Sequence, residues 1–459
     1  MKNAARIAVI PPLALLALAA CGGSPVGTSE ELQEAVEQGS GLVRLAAGAI
    51  EISEPVEVPV GAQDIEIIGD PDGTTLRATP DFEGKALLVF RSASGIKLSG
   101  FAIEGRRPHN DERLGLPPSN RTFSDFYSDN GLVFENVEDL HITDVRFTEI
   151  TNYPIIVNAG KQVVIENVHV SNSGSLNDNG RNNASGGILL ENGTSDFVVR
   201  DSTFENVRGN CIWTHSRYES PRNADGLIEG NEFHTTARDA IQIGHATRIR
   251  VLRNHGSKIG YPTEEVDVES QGFPVGIDTS GNTDKTTYAE NRFEDLNGKC
   301  IDLDGFHHGE IRDNRCVNKG PLEDYPLGHF GIIMNNANPD MESAEIVITG
   351  NLIDGSVYGG LFLIGSNHTV LDNQFLNVNT VGCREGSSDP RCNYWPDEPA
   401  LLRTGIYLGK RAERPAVTRD NVIESNVITG LGMASACIAA APGVDLAANR
   451  IGENDCREN

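Results

Sequence analysis

Asn231-Glu232-Phe233, Asn254-His255-Gly256, Asn291-Arg292-Phe293, Asn314-Arg315-Cys316, Asn351-Leu352-Ile353, Asn373-Gln374-Phe375, Asn426-Val427-Ile428 and Asn449-Arg450-Ile451 share one pattern. Each is an asparagine followed two residues later by a mostly apolar side chain. The intervals between them are 23, 37, 23, 37, 22, 53 and 23 residues. A base period of this size, lengthened at some turns by insertions, is the signature of a solenoid. Amides stacked at one tight turn hydrogen-bond along the stack, and asparagine tolerates left-handed backbone angles. The spacing therefore predicts an asparagine ladder along one corner, with each asparagine in the left-handed turn.

A second column keeps the same register. It places a small residue before an apolar one: Gly187-Ile188, Cys211-Ile212, Ala240-Ile241, Gly276-Ile277, Cys300-Ile301, Gly331-Ile332, Gly360-Leu361 and Gly405-Ile406, with Gly131-Leu132 and Pro154-Ile155 upstream. Side chains alternate along a strand, so one face of each short unit points in and the other out. Strands this short cannot bury a face alone and must stack at about 4.8 Å per rung. The predicted fold is all-β, a parallel β-helix. Here the chain resembles the right-handed parallel β-helix proteins of the pectin-lyase-like superfamily, over roughly residues 42–455. Residues 29–38 read as a short amphipathic helix with Ser29 as N-cap and Leu32, Ala35 and Val36 on one face. It would cap the open first coil, whose strand edges otherwise invite pairing.

At the N-terminus Lys2 and Arg6 precede an apolar run that ends in Leu18-Ala19-Ala20-Cys21. This resembles a bacterial lipoprotein signal, which implies that residues 1–20 are removed and Cys21 is lipidated. The run is short for a membrane span and contains Pro11 and Pro12. Gly22 stands where an aspartate would favour inner-membrane retention in lipoproteins, so the resemblance implies an outer-membrane or surface location. Residues 21–28 then form a lipidated tether, and 29–459 a single solenoid domain. The formal charge of −27 opposes nucleic acid as a partner. Of the eight cysteines, Cys383 and Cys392 could close a loop, whereas Cys211, Cys300 and Cys437 read as small buried hydrophobes in the column. No cysteine spacing suggests zinc.

Five insertions, 106–129, 174–185, 261–273, 320–329 and 381–402, precede the small-residue strand, and shorter ones, 217–225, 281–285, 336–344 and 410–420, follow it. The outward face of that sheet is expected to be a cleft floor walled by loops, and long loops on a rigid scaffold commonly carry function. Alternation puts Glu191, Trp213, His215, Gln242, Asp278, Asp302, Asp304, Asn335, Phe362 and Tyr407 on the floor. Titratable groups occupy its middle and aromatics its ends, as a groove for an extended sugar chain requires. Asp278, Asp302 and Asp304 form the expected acid/base centre or, alternatively, a calcium site, because crowded carboxylates either raise a pKa or bind a cation. His215, His307 and His308 are the candidate proton carriers. Glu191, Gln242, Asn335 and the rings of Trp213, Phe362 and Tyr407 are the candidate substrate contacts. Against polygalacturonase-type hydrolases the match is partial: Asn282-Thr283-Asp284 falls in a turn, Leu303 separates Asp302 from Asp304, and Gly305-Phe306-His307-His308-Gly309 is too early and too long. That family's catalytic assignment is not carried over. The reading is a lipid-anchored, extracytoplasmic β-helix that binds and cleaves a polysaccharide, with a non-catalytic glycan-binding or structural lipoprotein as the alternative. Hydrolase, lyase and epimerase chemistry remain open at this level.

Overall fold

In the computed structural model, residues 24–110, 113–336, 341–393, 398, 400–410 and 416–459 are described. The chain winds as a parallel β-helix whose coils each contribute up to three strands. In one coil Thr287–Ala289 is followed by Asn291, Arg292–Glu294, a short turn and then the floor strand Lys299–His307. Each strand pairs in parallel with its counterpart one coil away. Among the described residues one column forms a separate 14-stranded sheet. The other two merge into a 27-stranded sheet because Val275–Asp284 and Lys299–His307 run on around the corner.

The small-residue column lies in the expected register, from Ile155↔Ile188 through Ile277↔Ile301 to Ile406↔Ile438. Ile188, Ile212, Ile241, Ile277, Ile301 and Ile332 are each 0% exposed and line the interior. The small residue before them is required by close approach of the next coil. A Cβ on Gly187 would sit 1.9 Å from the Cys211 carbonyl oxygen.

The ladder runs as expected from Asn231 to Asn426, with each Nδ2 donating to the next Oδ1 at 2.9–3.0 Å. Two details differ from the sequence reading. The last member is Asn454, not Asn449: Asn426 donates to Asn454 Oδ1, and Asn449 instead accepts from Asn421 in a second, shorter ladder. The left-handed residue is also not the asparagine but the one before it, as at Arg253, Glu290, Asp313 and Asp372, with φ of 54–59°. The asparagine itself is needed for its amide, which accepts two bonds and gives two. Asn291 Oδ1 receives Asn254 N and Nδ2 at 3.0 and 2.9 Å, and its Nδ2 donates to Val251 O and Asn314 Oδ1. Asn291→Ala strands both Asn254 donors in the interior. We expect a loss of about 2–3 kcal/mol in denaturant unfolding, and an unchanged midpoint would show that the ladder is ornamental.

The predicted cap is a helix at Ser29–Val36, with Leu32 and Val36 buried. Its N-cap is Thr28, not Ser29: the Thr28 hydroxyl accepts from Glu31 N. Gln33 closes the open edge by imitating a strand, its side-chain amide accepting from Glu57 N at 3.0 Å and donating to Glu57 O at 3.1 Å. Packing begins before this helix. Val26, inside the segment read as a tether, donates to Arg44 O and accepts from Ala46 N. Residues 1–23, with Cys21 and the apolar run, lie outside the described residues. Among the described residues no helix is long and apolar enough to cross a membrane.

Two cysteine assignments are corrected. Cys300 and Cys437 are not isolated small hydrophobes: they form the disulfides Cys300–Cys316 and Cys437–Cys456. Cys300, Cys316 and Cys437 are buried and Cys456 is half-exposed. Cys383–Cys392 forms as expected, and Cys211 is a buried thiol.

Candidate functional site

Asp278 and Asp302 stand on adjacent rungs of the floor, fixed by the pairs Ile277↔Ile301 and Ser280↔Asp304 on either side. Gln242, one rung earlier in the same row, donates from Nε2 to Asp278 Oδ2 at 2.7 Å. Asn210 Nδ2 in turn holds Gln242 Oε1 at 2.6 Å. Lys299, at the start of the Asp302 strand, places Nζ 2.6 Å from Asp302 Oδ2 and 5.9 Å from the centre of the Phe273 ring. Asp302 is 8% exposed, and its Oδ1 is buried without a hydrogen-bond partner among the described residues.

The third crowded carboxylate is Asp239, which the sequence reading missed. It lies in the turn before the floor strand and is 2% exposed. Its Oδ1 accepts from Val275 N at 2.9 Å, and Arg238 Nε lies 3.4 Å from Oδ2. Burial pushes Asp239 up to about 6, against the pull of Arg238. Burial, reinforced by Asp239 and then Asp302, pushes Asp278 well above the usual carboxylate range. Lys299 is held above its ordinary value: burial disfavours its charge, but Asp302, Asp278 and Asp239 together outweigh that. His329, buried beside Lys299, is driven down to about 3 by burial and by that cation. A sequence signal for part of this existed in Asp239 and Lys299, which hold the same position, just before the small residue, on coils two apart.

A carboxyl group whose pKa is raised in the folded state stabilises the fold at low pH. For Asp239 that contribution is complete below its unfolded value of 3.8 and is lost as pH rises through about 6. Asp239→Asn should therefore raise stability at neutral pH by about 1–3 kcal/mol, and the gain should vanish in acid. Melting temperatures of both proteins across this range test it; parallel profiles would refute it.

The other expected site residues divide between this cluster and its surroundings. Asp304, half-buried, does not join the crowded set. It lines a cavity of about 600 Å³ with Trp213, His215, Arg217, Tyr218, Gln242, His245 and Ser280. His215 lies at that cavity, with ring centres 4.8 Å from Phe123 and 5.2 Å from Trp213. His307 and His308 are not at the carboxylates. The strand turns at Gly305 (φ 79°), and His307 pairs in register with Asp284, around the corner of the coil. There its Nδ1 meets His308 Nδ1 at 2.7 Å and its Nε2 meets Asn282 Oδ1 at 3.0 Å.

Five of the six expected sugar contacts are buried, Trp213 (6% exposed) and Gln242 (3% exposed) at the margin of the cavity and three others away from it. Glu191 is 0% exposed and accepts from Phe123 N and Ser124 N at 2.7 and 3.2 Å, so it anchors the 106–129 insertion to the floor. Phe362 is 4% exposed and stacks on Tyr407, which is 0% exposed and donates to Glu398 Oε2 at 3.0 Å. Asn335 remains half-buried opposite Asp304, with its Oδ1 accepting from Asn336 N. Calcium finds no support as the partner of the aspartates: among the described residues no three His, Cys, Asp or Glu side chains converge as ligands. The cation beside Asp302 is the Lys299 ammonium.

The sequence profile of the right handed beta helix region family matches residues 119–293 and 275–457. The chain belongs to this family. No curated protein matches the β-helix chain by sequence. Among solved structures it is similar to the Streptococcus pneumoniae surface protein and adhesin PfbA (TM-score 0.54, 15% identity, 76% of this chain and 94% of that one). It is also similar to the catalytic unit of a GH87 α-1,3-glucanase from Streptomyces thermodiastaticus strain HF3-3 (0.53, 13%, 88% and 67%). ORF18 of Geobacillus virus E2 aligns with 70% of this chain at TM-score 0.50 and 13% identity, and this chain spans 57% of it. At these identities the likeness is one of fold.

Proposed function

We propose that this β-helix protein is an extracytoplasmic, lipid-anchored enzyme that binds a polysaccharide and cleaves it by acid/base hydrolysis at Asp278 and Asp302. The observation that carries the reading is the unlike pair on adjacent rungs. Asp278 is pushed well above the carboxylate range, while Asp302 is ion-paired with Lys299. A protonated carboxyl beside a carboxylate is what glycosidic cleavage uses: one donates to the leaving oxygen, the other acts at the anomeric carbon. Gln242, bonded to Asp278 Oδ2, fixes that carboxyl's orientation. Adhesin and glucanase relatives of the fold make both binding and turnover reasonable uses of such a floor.

One observation favours the non-catalytic alternative. Asp302 is largely buried, as in a purely structural ion pair. Incubating the protein with neutral and acidic polysaccharides, and reading reducing ends alongside absorbance of unsaturated products, separates the cases. New reducing ends without unsaturation support hydrolysis. Unsaturated products overturn it in favour of a lyase, and binding without product leaves a glycan-binding protein.

The three disulfides fit an oxidising compartment. In that reading Cys21 carries the lipid and residues 1–20 are removed. Cys21→Ser should move the protein from the membrane fraction to the soluble one or leave its precursor uncut. Unchanged fractionation would refute the anchor.

A further inference from the structure

We infer that the cleft is a dead-end pocket that takes a chain end or a short oligosaccharide, not the interior of a long polymer; this rests on the polysaccharide reading above. An open groove along a β-helix needs exposed floor on both sides of the reacting rungs. Here the floor is sealed on both. On the N-terminal side Ile156 and Leu189 are 0% exposed and Trp213 is 6% exposed. The 106–129 insertion lies over them, with the Phe123 ring 4.8 Å from Trp213 and Tyr127 5.3 Å from Tyr153, and Glu191 pins its short helix. On the C-terminal side Phe362 and Tyr407 are closed over as described, with Phe330 6.2 Å from Phe362.

The flank before the strands is walled as well. The Phe273 ring lies 5.1 Å from His329, tilted at 44°, and receives Lys299 on its face. What stays accessible on the floor is His215, Asp278, Ser280, Asp304, Ile333 and Asn335. These span five adjacent rungs, about 19 Å between the outer two. Among the described residues His215, Ser280 and Asp304 of this row border the cavity of about 600 Å³, beside Trp213 and Tyr218. That volume suits a small ligand. A chain lying along this row meets buried floor at either end, Leu189 on one side and Phe362 on the other, so only an end or a short chain fits.

The test is the size of the first products. The wild-type protein is incubated with glucans, xylan and polygalacturonate, each as polymer and as the matching tetrasaccharide. We expect mono- or disaccharides from the earliest time points, nearly constant viscosity, and faster turnover per bond on tetrasaccharide. Phe123→Ala, which opens the wall over Trp213, should lengthen the products and increase quenching of tryptophan fluorescence by acrylamide. A broad ladder of long products from the wild type, with early loss of viscosity, overturns the inference while leaving cleavage intact. No binding and no turnover of any saccharide overturns the cleavage reading and this inference with it. If Phe123→Ala does not fold, the wild-type product profile alone decides.

Discussion

Asp278→Asn lowers turnover of a cleaved polysaccharide by about 10²-fold or more, the scale of a positioned general acid, while the protein melts no lower than the wild type. Asparagine preserves the oxygen that accepts from Gln242 Nε2 but has no proton to give. It also removes a carboxyl that is crowded by Asp239 and Asp302 and desolvated at the floor, so no stabilising charge is lost. The pH dependence follows from the same cause. The wild type needs Asp278 protonated, so activity falls as pH rises through its elevated pKa, and the alkaline limb of the pH–rate profile reports that group. Retained activity with an unchanged profile would remove Asp278 from the chemistry and return the floor to a binding surface.

Lys299→Met has the largest expected effect on stability, a loss of about 3–5 kcal/mol at neutral pH. Methionine matches the stem and still packs on Phe273, but it leaves Asp302 buried without the ammonium 2.6 Å away and leaves Asp278 and Asp239 without their shared cation. The cost is electrostatic, so it should shrink in acid. Carboxyl groups with raised folded pKa values contribute stability at low pH and lose it as pH rises through those values. Denaturant unfolding at neutral and acidic pH measures this, and Lys299→Met combined with Asp302→Asn should recover most of the loss at neutral pH. A pH-independent loss would point to packing instead.

The coil repeat was legible because two independent columns, the asparagines and the small-residue strand, kept one phase over the second half of the chain. Alternation also identified the outward row correctly, including the adjacency of Asp278 and Asp302. It could not say what covers that row. Glu191, Phe362 and Tyr407 do point out of the solenoid, but insertions fold back over them, and loop docking leaves no period in a sequence. Asp239 escaped notice because it sits in a turn, outside the strand pattern, and matters only through its burial beside Arg238. The end of the ladder is misread at Asn449 because a second corner, Asn421 bonded to Asn449, carries a similar Asn-x-Ile triplet just ahead of Asn426 and Asn454. The partners of Cys300 and Cys437 followed from neither spacing nor motif, since each disulfide joins positions outside one repeating column.

The asparagine corner has a polarity. Every amide receives its neighbour on the N-terminal side and gives to the one on the C-terminal side, so each coil's corner is completed only by the coil that follows it. Removing the final residues would orphan Asn426, whose backbone and side-chain nitrogens both rely on Asn454; the next loss would orphan Asn373 in the same way. The corner is therefore vulnerable to unravelling from its carboxyl side, and Cys437–Cys456 ties down the last described strand two residues after Asn454. Reduction followed by a carboxypeptidase should peel it inward, while the amino end stays closed under Gln33.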